Sequence, residues 1–197
     1  MEKFVIIPNI TVEKPNNTLW SEEAMVKVWG KPTKEFYEKL DECFKTIIRY
    51  QKPESKELSL YVFDGEKHIA TRLTETLESF IHEVTINNFN QFRADDDLKP
   101  FIGCFEFAIN VIIQWLDASK INIQKVAHFC GVGVDPEYRN MGLGTELVRR
   151  ALEHSKNCGY SHVVVETTGD YSKKIMEKFD GVQIGFIDYK TYCETNS

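Results

Sequence analysis

Val126-Ala127-His128-Phe129-Cys130-Gly131-Val132-Gly133-Val134, followed by Asp135-Pro136-Glu137-Tyr138-Arg139-Asn140-Met141-Gly142-Leu143-Gly144, decides the reading of this chain. The first nine residues form a strand. A tight loop follows, and an amphipathic helix opens near Gly142, with Leu143, Leu147, Val148, Ala151 and Leu152 on one face. Lys156 in the last turn and Gly159 just beyond it stop that helix. A strand–loop–helix unit of this composition suits phosphate. A helix start offers unpaired N–H donors and about half a positive charge. Glycines let an anion approach the backbone, and Arg139 adds a planar fork of donors. Two familiar phosphate loops do not fit. Gly144 is followed by Thr145-Glu146 rather than Lys-Ser/Thr, and the three-glycine dinucleotide spacing is incomplete. The pattern that remains is R-x-x-G-x-G. By itself it also fits a tight turn made by two glycines.

Working outward, Val163-Val164-Val165 reads as a strand covered on both faces. Ser172 to Phe179 reads as a helix with Ile175, Met176 and Phe179 inward, and Val182, Ile184 and Phe186 alternate as a last strand. Strand, helix, strand, helix, strand predicts an α/β fold whose sheet is partly parallel. Upstream, Leu58 to Phe63 and Lys67 to Leu73 form a hairpin across Asp64-Gly65. Thr33 starts a helix carrying Phe36, Tyr37, Leu40, Phe44, Ile47 and Ile48, and Phe105 to Leu116 is another. Phe4 to Ile7 reads as a first strand and Ser21 as the cap of a short helix, with residues 9–18 as loop. Ser79 to Asp97 has no clear period, and its acidic end, Asp95-Asp96-Asp97, reads as a solvated loop.

Bulk properties exclude several classes. A net charge of -6 carries no basic stripe for nucleic acid. Cys43, Cys104, Cys130, Cys158 and Cys193 are odd in number and scattered, which predicts core thiols and no metal site. The apolar stretches read as shorter than the roughly 20 residues of a membrane span. The expectation is one cytoplasmic domain over residues 1–197, a monomer or weak dimer, that binds neither membrane nor nucleic acid.

With its strand and helix, the Arg139–Gly144 loop resembles motif A of the GCN5-related N-acetyltransferase (GNAT) superfamily. Tyr171-Ser172-Lys173-Lys174-Ile175-Met176-Glu177-Lys178-Phe179 and Phe186-Ile187-Asp188-Tyr189-Lys190 are similar to the arylalkylamine (dopamine) N-acetyltransferases of insects and nematodes. The resemblance implies a GNAT-like single mixed, partly parallel β-sheet flanked by helices on both faces. It implies acetyl-coenzyme A (acetyl-CoA) as cosubstrate and a primary amine, most simply a small arylalkylamine, as acceptor. The pyrophosphate falls to Arg139, Asn140, Met141, Gly142, Leu143, Gly144 and Thr145. The pantetheine arm falls to the backbone of Val132, Gly133 and Val134, with Ser172 nearby. Glu23 in Ser21-Glu22-Glu23-Ala24-Met25 stands at the family's general-base position, although Ala24 replaces a proline there. It reads equally as a first-turn acid on a helix dipole. Tyr171, Ser172 and Thr168 are the expected proton donors or relays, and His128 reads as a strand histidine or as a second base. Other acceptors (a polyamine, an amino acid, a protein lysine) and an inactive acetyl-CoA-binding domain are the competing readings.

Overall fold

The structure, a computed structural model, describes residues 5–8, 33–50, 57–85, 90–189 and 192. Glu22, Glu23, the predicted helix after Ser21 and Cys193 lie outside them. Five strands form one sheet in sequence order: β1 (Val5–Pro8), β2 (Leu60–Asp64), β3 (Lys67–Thr76), β4 (Val126–Val134) and β5 (His162–Val164). The first four pair antiparallel and β5 joins β4 in parallel, so the sheet is mixed, as expected. Six α-helices are described: α1 (Lys34–Tyr50), α2 (Leu77–Thr85), α3 (Asn90–Arg93), α4 (Lys99–Ser119), α5 (Leu143–Asn157) and α6 (Asp170–Glu177).

Alternation along the strands divides the interior in two. On one face Val126 and Val164 meet Phe36, Leu40, Leu77, Phe80, Phe101, Ile102 and Ile109 of α1, α2 and α4. On the other Phe129, Leu60, Val62 and Ile69 meet Leu143, Leu147, Val148 and Ala151 of α5 and Ile175 of α6. Helices thus cover both faces. Local signals explain their ends. Thr33 Oγ1 accepts the Phe36 N–H at 3.1 Å and caps α1. Pro100 opens α4, and Lys120, in left-handed backbone at φ 56°, closes it. Gly159, at φ 88°, closes α5.

Ser59 shows how a side chain can stand in for the ladder. Its buried hydroxyl accepts the Thr74 N–H at 3.0 Å and donates to the Thr74 carbonyl at 3.2 Å. Ser59→Ala strands both groups, and a buried unsatisfied backbone group costs about 1–3 kcal/mol. The unfolding free energy should fall by that amount, read as a lower urea midpoint with the slope unchanged.

Three expectations need correction. The residues Val182, Ile184 and Phe186 form no strand, and Val182 and Phe186 are 84% and 70% exposed. Their segment lies against α4 instead: a Cβ on Gly185 would come within 2.6 Å of Val111 Cγ1, so only glycine lets the backbone in so close. Asp95 and Asp97 are half-buried rather than solvated. Both pair with Lys39 of α1, at 3.0 and 2.9 Å, and the Asp95 carbonyl accepts the Leu98 and Lys99 N–H groups that start α4. α4 itself runs well past Phe105–Leu116, and its segment Phe101–Ser119 is long and apolar enough, by length and composition, to cross a membrane. Ile102, Ile109, Ile112 and Leu116 of this helix are buried in the protein core.

Candidate active site

The antiparallel part of the sheet delivers β4 straight into the glycine loop. The β2–β3 turn then clamps that loop. Asp135 N–H donates to the Ile69 carbonyl at 2.7 Å, and Tyr138 Oη donates to Asp64 at 2.9 Å. Lys67 Nζ lies 2.6 Å from Glu137 and 3.4 Å from Asp135. The Glu137 N–H, and after it Lys67, hold the Asp135 carboxyl below its ordinary value. The loop is therefore positioned before any ligand arrives.

Beyond the clamp, Asn140 and Gly142 both take left-handed backbone, at φ 60° and 80°. No side chain caps α5, and its first backbone bond is Glu146 N–H to the Gly142 carbonyl at 3.0 Å. The N–H groups of Leu143, Gly144 and Thr145 thus point out of the helix start, the arrangement that receives an anion. A Cβ built on Gly142 meets nothing within 4 Å, so the space before the helix is open. Arg139 Nε donates to the Val134 carbonyl at 3.3 Å, which ties the head of the loop to the end of β4. These residues fit the pyrophosphate of coenzyme A.

The neighbouring strand leaves β4 uncovered. β5 pairs only with Val126, Ala127 and His128. From Phe129 to Val134, β4 has no described partner on that side, and the chain after Val164 turns away as residues 165–169 without regular structure. It returns as α6, which brings Tyr171 beside the loop: a Cβ on Gly144 would touch Ile175 and Tyr171 at 3.6 and 3.9 Å. Tyr171 is 64% exposed. Ser172 Oγ instead donates to the Gly169 carbonyl at 2.8 Å and accepts the Gly169 N–H at 3.4 Å, folding back on the start of α6. Thr168 lines a cleft of about 1380 Å³ bounded also by α4, β5 and residues 179–189. Of the sequence-predicted residues, then, β4 runs into the loop and Tyr171 lies beside it at Gly144, while Ser172 follows Tyr171 in the first turn of α6 and Thr168 lines the cleft, whose walls include neither the loop, β4, Tyr171 nor Ser172.

At the point where β4 and β5 part sits a buried charged cluster. His128 Nε2 lies 2.6 Å from Glu166 Oε2 and its Nδ1 3.3 Å from Glu75 Oε1, while Phe80 stacks on the ring at 3.8 Å. Burial alone would lower the histidine, but Glu166 and Cys130 raise it well above its ordinary value. Burial raises Glu166, and the facing His128 draws it back to below the ordinary carboxylate value. The Cys130 thiol, 2.9 Å from Glu75 Oε1, is pushed up to about 12, first by burial and then by that acid. On the opposite face Arg72 stacks on Phe129 at 4.0 Å with Nε and Nη2 unpartnered, and burial brings it down to about 9. Sequence reasoning singled out His128 and missed Arg72, Glu75 and Glu166. The available signal was a charge inside otherwise apolar strand runs, which is rare in a buried strand unless the charge is paired.

Residues 59–181 match the Acetyltransferase (GNAT) family. The chain belongs to that family. Its GNAT fold is similar to that of arylalkylamine N-acetyltransferase 2 from Aedes aegypti, with a TM-score of 0.56 and 14% identity, covering 94% of this chain and 93% of that one. It is similar as well to a mutant agmatine N-acetyltransferase in its apo form, with a TM-score of 0.54 and 14% identity over 90% and 82% of the two chains. In sequence it resembles the acetyl transferase GW6a of Oryza sativa subsp. japonica, 30% identical over 78 residues. That match covers 40% of this chain and 18% of the rice protein's length. GNAT members use acetyl-CoA as cosubstrate, and the splayed strands and bare helix start described above are where this chain's own residues would hold it.

Proposed function

We propose that this chain is an acetyl-CoA-dependent N-acetyltransferase acting on a primary amine, with a small arylalkylamine as the leading acceptor and residues 1–197 as one cytoplasmic domain. The observation that carries the reading is the opening of β4 beyond His128, with the uncapped start of α5 at its far end. Arg139, Asn140, Met141, Gly142, Leu143, Gly144 and Thr145 bind the pyrophosphate. Val132, Gly133 and Val134 offer their outer backbone groups to the pantetheine arm. When bound, acetyl-CoA supplies an acetyl group activated as a thioester.

The protein's own residues then have three tasks. Backbone N–H groups near Gly133 and Val134 stabilise negative charge on the carbonyl oxygen. A base takes the amine proton, because an ammonium has no lone pair. Glu23 is assigned that task and His128 is the reserve. Tyr171 supplies the proton to the departing sulfur. It suits this better than Ser172, whose hydroxyl already donates to Gly169. Thr168, on the cleft wall, relays protons or orders the acceptor.

Coenzyme A release with an amine panel tests the assignment. Turnover with tryptamine or dopamine supports the arylalkylamine reading. Turnover confined to agmatine, polyamines or peptides moves the acceptor class, and donor binding without turnover leaves an acetyl-CoA-binding domain. For Arg139→Ala, loss of hydrogen bonds to a charged group weakens donor binding by about 1.5–3 kcal/mol. The Michaelis constant for acetyl-CoA should rise accordingly, and that for the amine should hold. An unchanged donor constant would make Arg139 a surface charge only.

A further inference from the structure

The buried cluster at the head of the opening holds more ligand atoms than its own hydrogen bonds use. We propose that Glu75, His128 and Cys130 form a binding site for a thiophilic divalent cation of the Zn²⁺ class, with one carboxylate, one imidazole nitrogen and one thiolate converging from β3 and β4. Their donor atoms lie within 4.8 Å of one another. With ordinary Zn–S and Zn–N lengths, a tetrahedral centre sets sulfur and nitrogen about 3.6 Å apart, and nitrogen and oxygen about 3.4 Å apart. Cys130 Sγ lies 3.6 Å from His128 Nδ1, and Nδ1 lies 3.3 Å from Glu75 Oε1. The third edge, Cys130 Sγ to Glu75 Oε1, is 2.9 Å, which is short for two ligands of one ion. It is the length of a thiol donating to a carboxylate. Once the thiol proton leaves, the carboxylate has to turn, and its other oxygen, Oε2, is buried without a partner among the described residues.

Two features of the fold aim these atoms. The β3–β4 register slips between Leu73 and Thr74, so that Gly131 and Phe129 face them in turn and Cys130 has no opposite number. Residues two apart on a strand share a face, so His128 and Cys130 lie on one side of β4, and the bulge leaves Cys130 unpaired beside Thr74, with its thiol 2.9 Å from Glu75 Oε1. The second feature is Glu166. It takes the Nε2 hydrogen of His128 at 2.6 Å, which leaves Nδ1 as the ligand atom, and Phe80 fixes the ring plane. A carboxylate that holds the far nitrogen of a ligating histidine is the usual outer partner of a zinc site. On binding, the thiol and Nδ1 each release a proton. The dication is then met by a thiolate and a carboxylate, and the sulfur ligand favours zinc over magnesium or calcium. Three protein ligands leave a fourth position for water or an added ligand.

The test uses the full chain, stripped with chelator and titrated with Zn²⁺ alone in a calorimeter and with Co²⁺ in a spectrophotometer. One ion should bind per chain, and Co²⁺ should give a thiolate-to-metal charge-transfer band. Cys130→Ser should abolish that band. Cys158→Ser, which removes the exposed thiol 3.9 Å from His154 Nε2, should keep it. Glu166→Gln should weaken affinity about 10–100-fold while the band persists, as loss of an outer partner does. No stoichiometric binding at micromolar Zn²⁺ overturns the proposal, as does a band lost in Cys158→Ser and kept in Cys130→Ser. If circular dichroism shows Cys130→Ser unfolded, Cys158→Ser and Glu166→Gln decide: a band kept in both, with weakened affinity in the second, supports the site, and any other pattern overturns it. Acetyl-CoA binding does not call on these three side chains, so a failed metal titration beside a successful acetyl-CoA titration leaves the acyl-transfer reading standing.

Discussion

Gly142→Glu should abolish acetyl-CoA binding while the protein stays folded. The glycine stands at the start of α5 with φ 80° and ψ 1°. A side chain there carries left-handed strain of about 1–2 kcal/mol, which a domain of ordinary stability survives. No atom lies within 4 Å of the added Cβ, so the new side chain does not collide with the protein itself. It projects into the space in front of the bare N–H groups instead, and its carboxylate occupies the position proposed for the pyrophosphate. The expected result in calorimetry at millimolar acetyl-CoA is binding by the parent chain and none by the variant. Thermal unfolding gives an independent reading, since ligand at a hundred times its dissociation constant adds about 2.7 kcal/mol to the parent's stability. Gly142→Ala separates the causes: it carries the backbone strain without the charge and should keep measurable binding. If the glutamate variant binds as the parent does, the loop is not the donor site. If the parent itself shows no binding at that concentration, the acetyltransferase reading fails.

The donor half of the site was legible because its signals are local. A nine-residue apolar strand, two glycines and an apolar helical stripe are each short-range patterns, and β4 has the predicted bounds while α5 opens at Leu143 with Gly142 as its N-cap. The Tyr171–Ser172 pair came from the family resemblance instead, and it falls in the first turn of α6. What the chain hid depends on distant partners. Alternation at Val182, Ile184 and Phe186 predicts a strand only if a sheet edge accepts it, and Gly185 lets that segment settle on α4 instead. The acidic run at 95–97 looks solvated until Lys39, more than fifty residues upstream, folds against it. The Glu75–His128–Cys130 group has no signature of ligand spacing because one member comes from β3 and meets the other two, alternate residues of β4, only across the ladder. Spacing rules for metal sites read along one chain segment, and this cluster is assembled across the ladder. The acceptor half is the least legible. Glu23, the base proposed for it, lies outside the described residues, in a stretch whose match to the family is altered by Ala24.

Glu23 is therefore the residue whose substitution says most about catalysis. An amine with a pKa near 10 is almost wholly protonated at neutral pH, with only about one molecule in a thousand carrying a free lone pair. A positioned base recovers that loss within the complex, typically by about 10²–10⁴-fold. Glu23→Gln preserves shape and hydrogen-bonding reach while removing basicity. The expected result is a fall in turnover of at least about tenfold at neutral pH, with acetyl-CoA affinity unchanged and activity recovering as pH rises and free amine becomes abundant. Glu22→Gln is the matched control. It alters the adjacent residue by the same chemistry, so an acid that merely complements a helix dipole responds alike at either position. A large effect at Glu23 alone assigns the base. Equal and small effects at both return Glu23 to the helix dipole and move the search to His128. That histidine is held well above its ordinary value, so it starts as a cation and has to lose a proton before it can accept one. Glu166 resists that loss, since it gives up a charged partner when it happens. Catalysis from His128 would then depend on weakening that contact when the amine enters, and Glu166, with 18% of its side chain exposed against 1% for Glu75, is the carboxylate better placed to bind the incoming ammonium in its place.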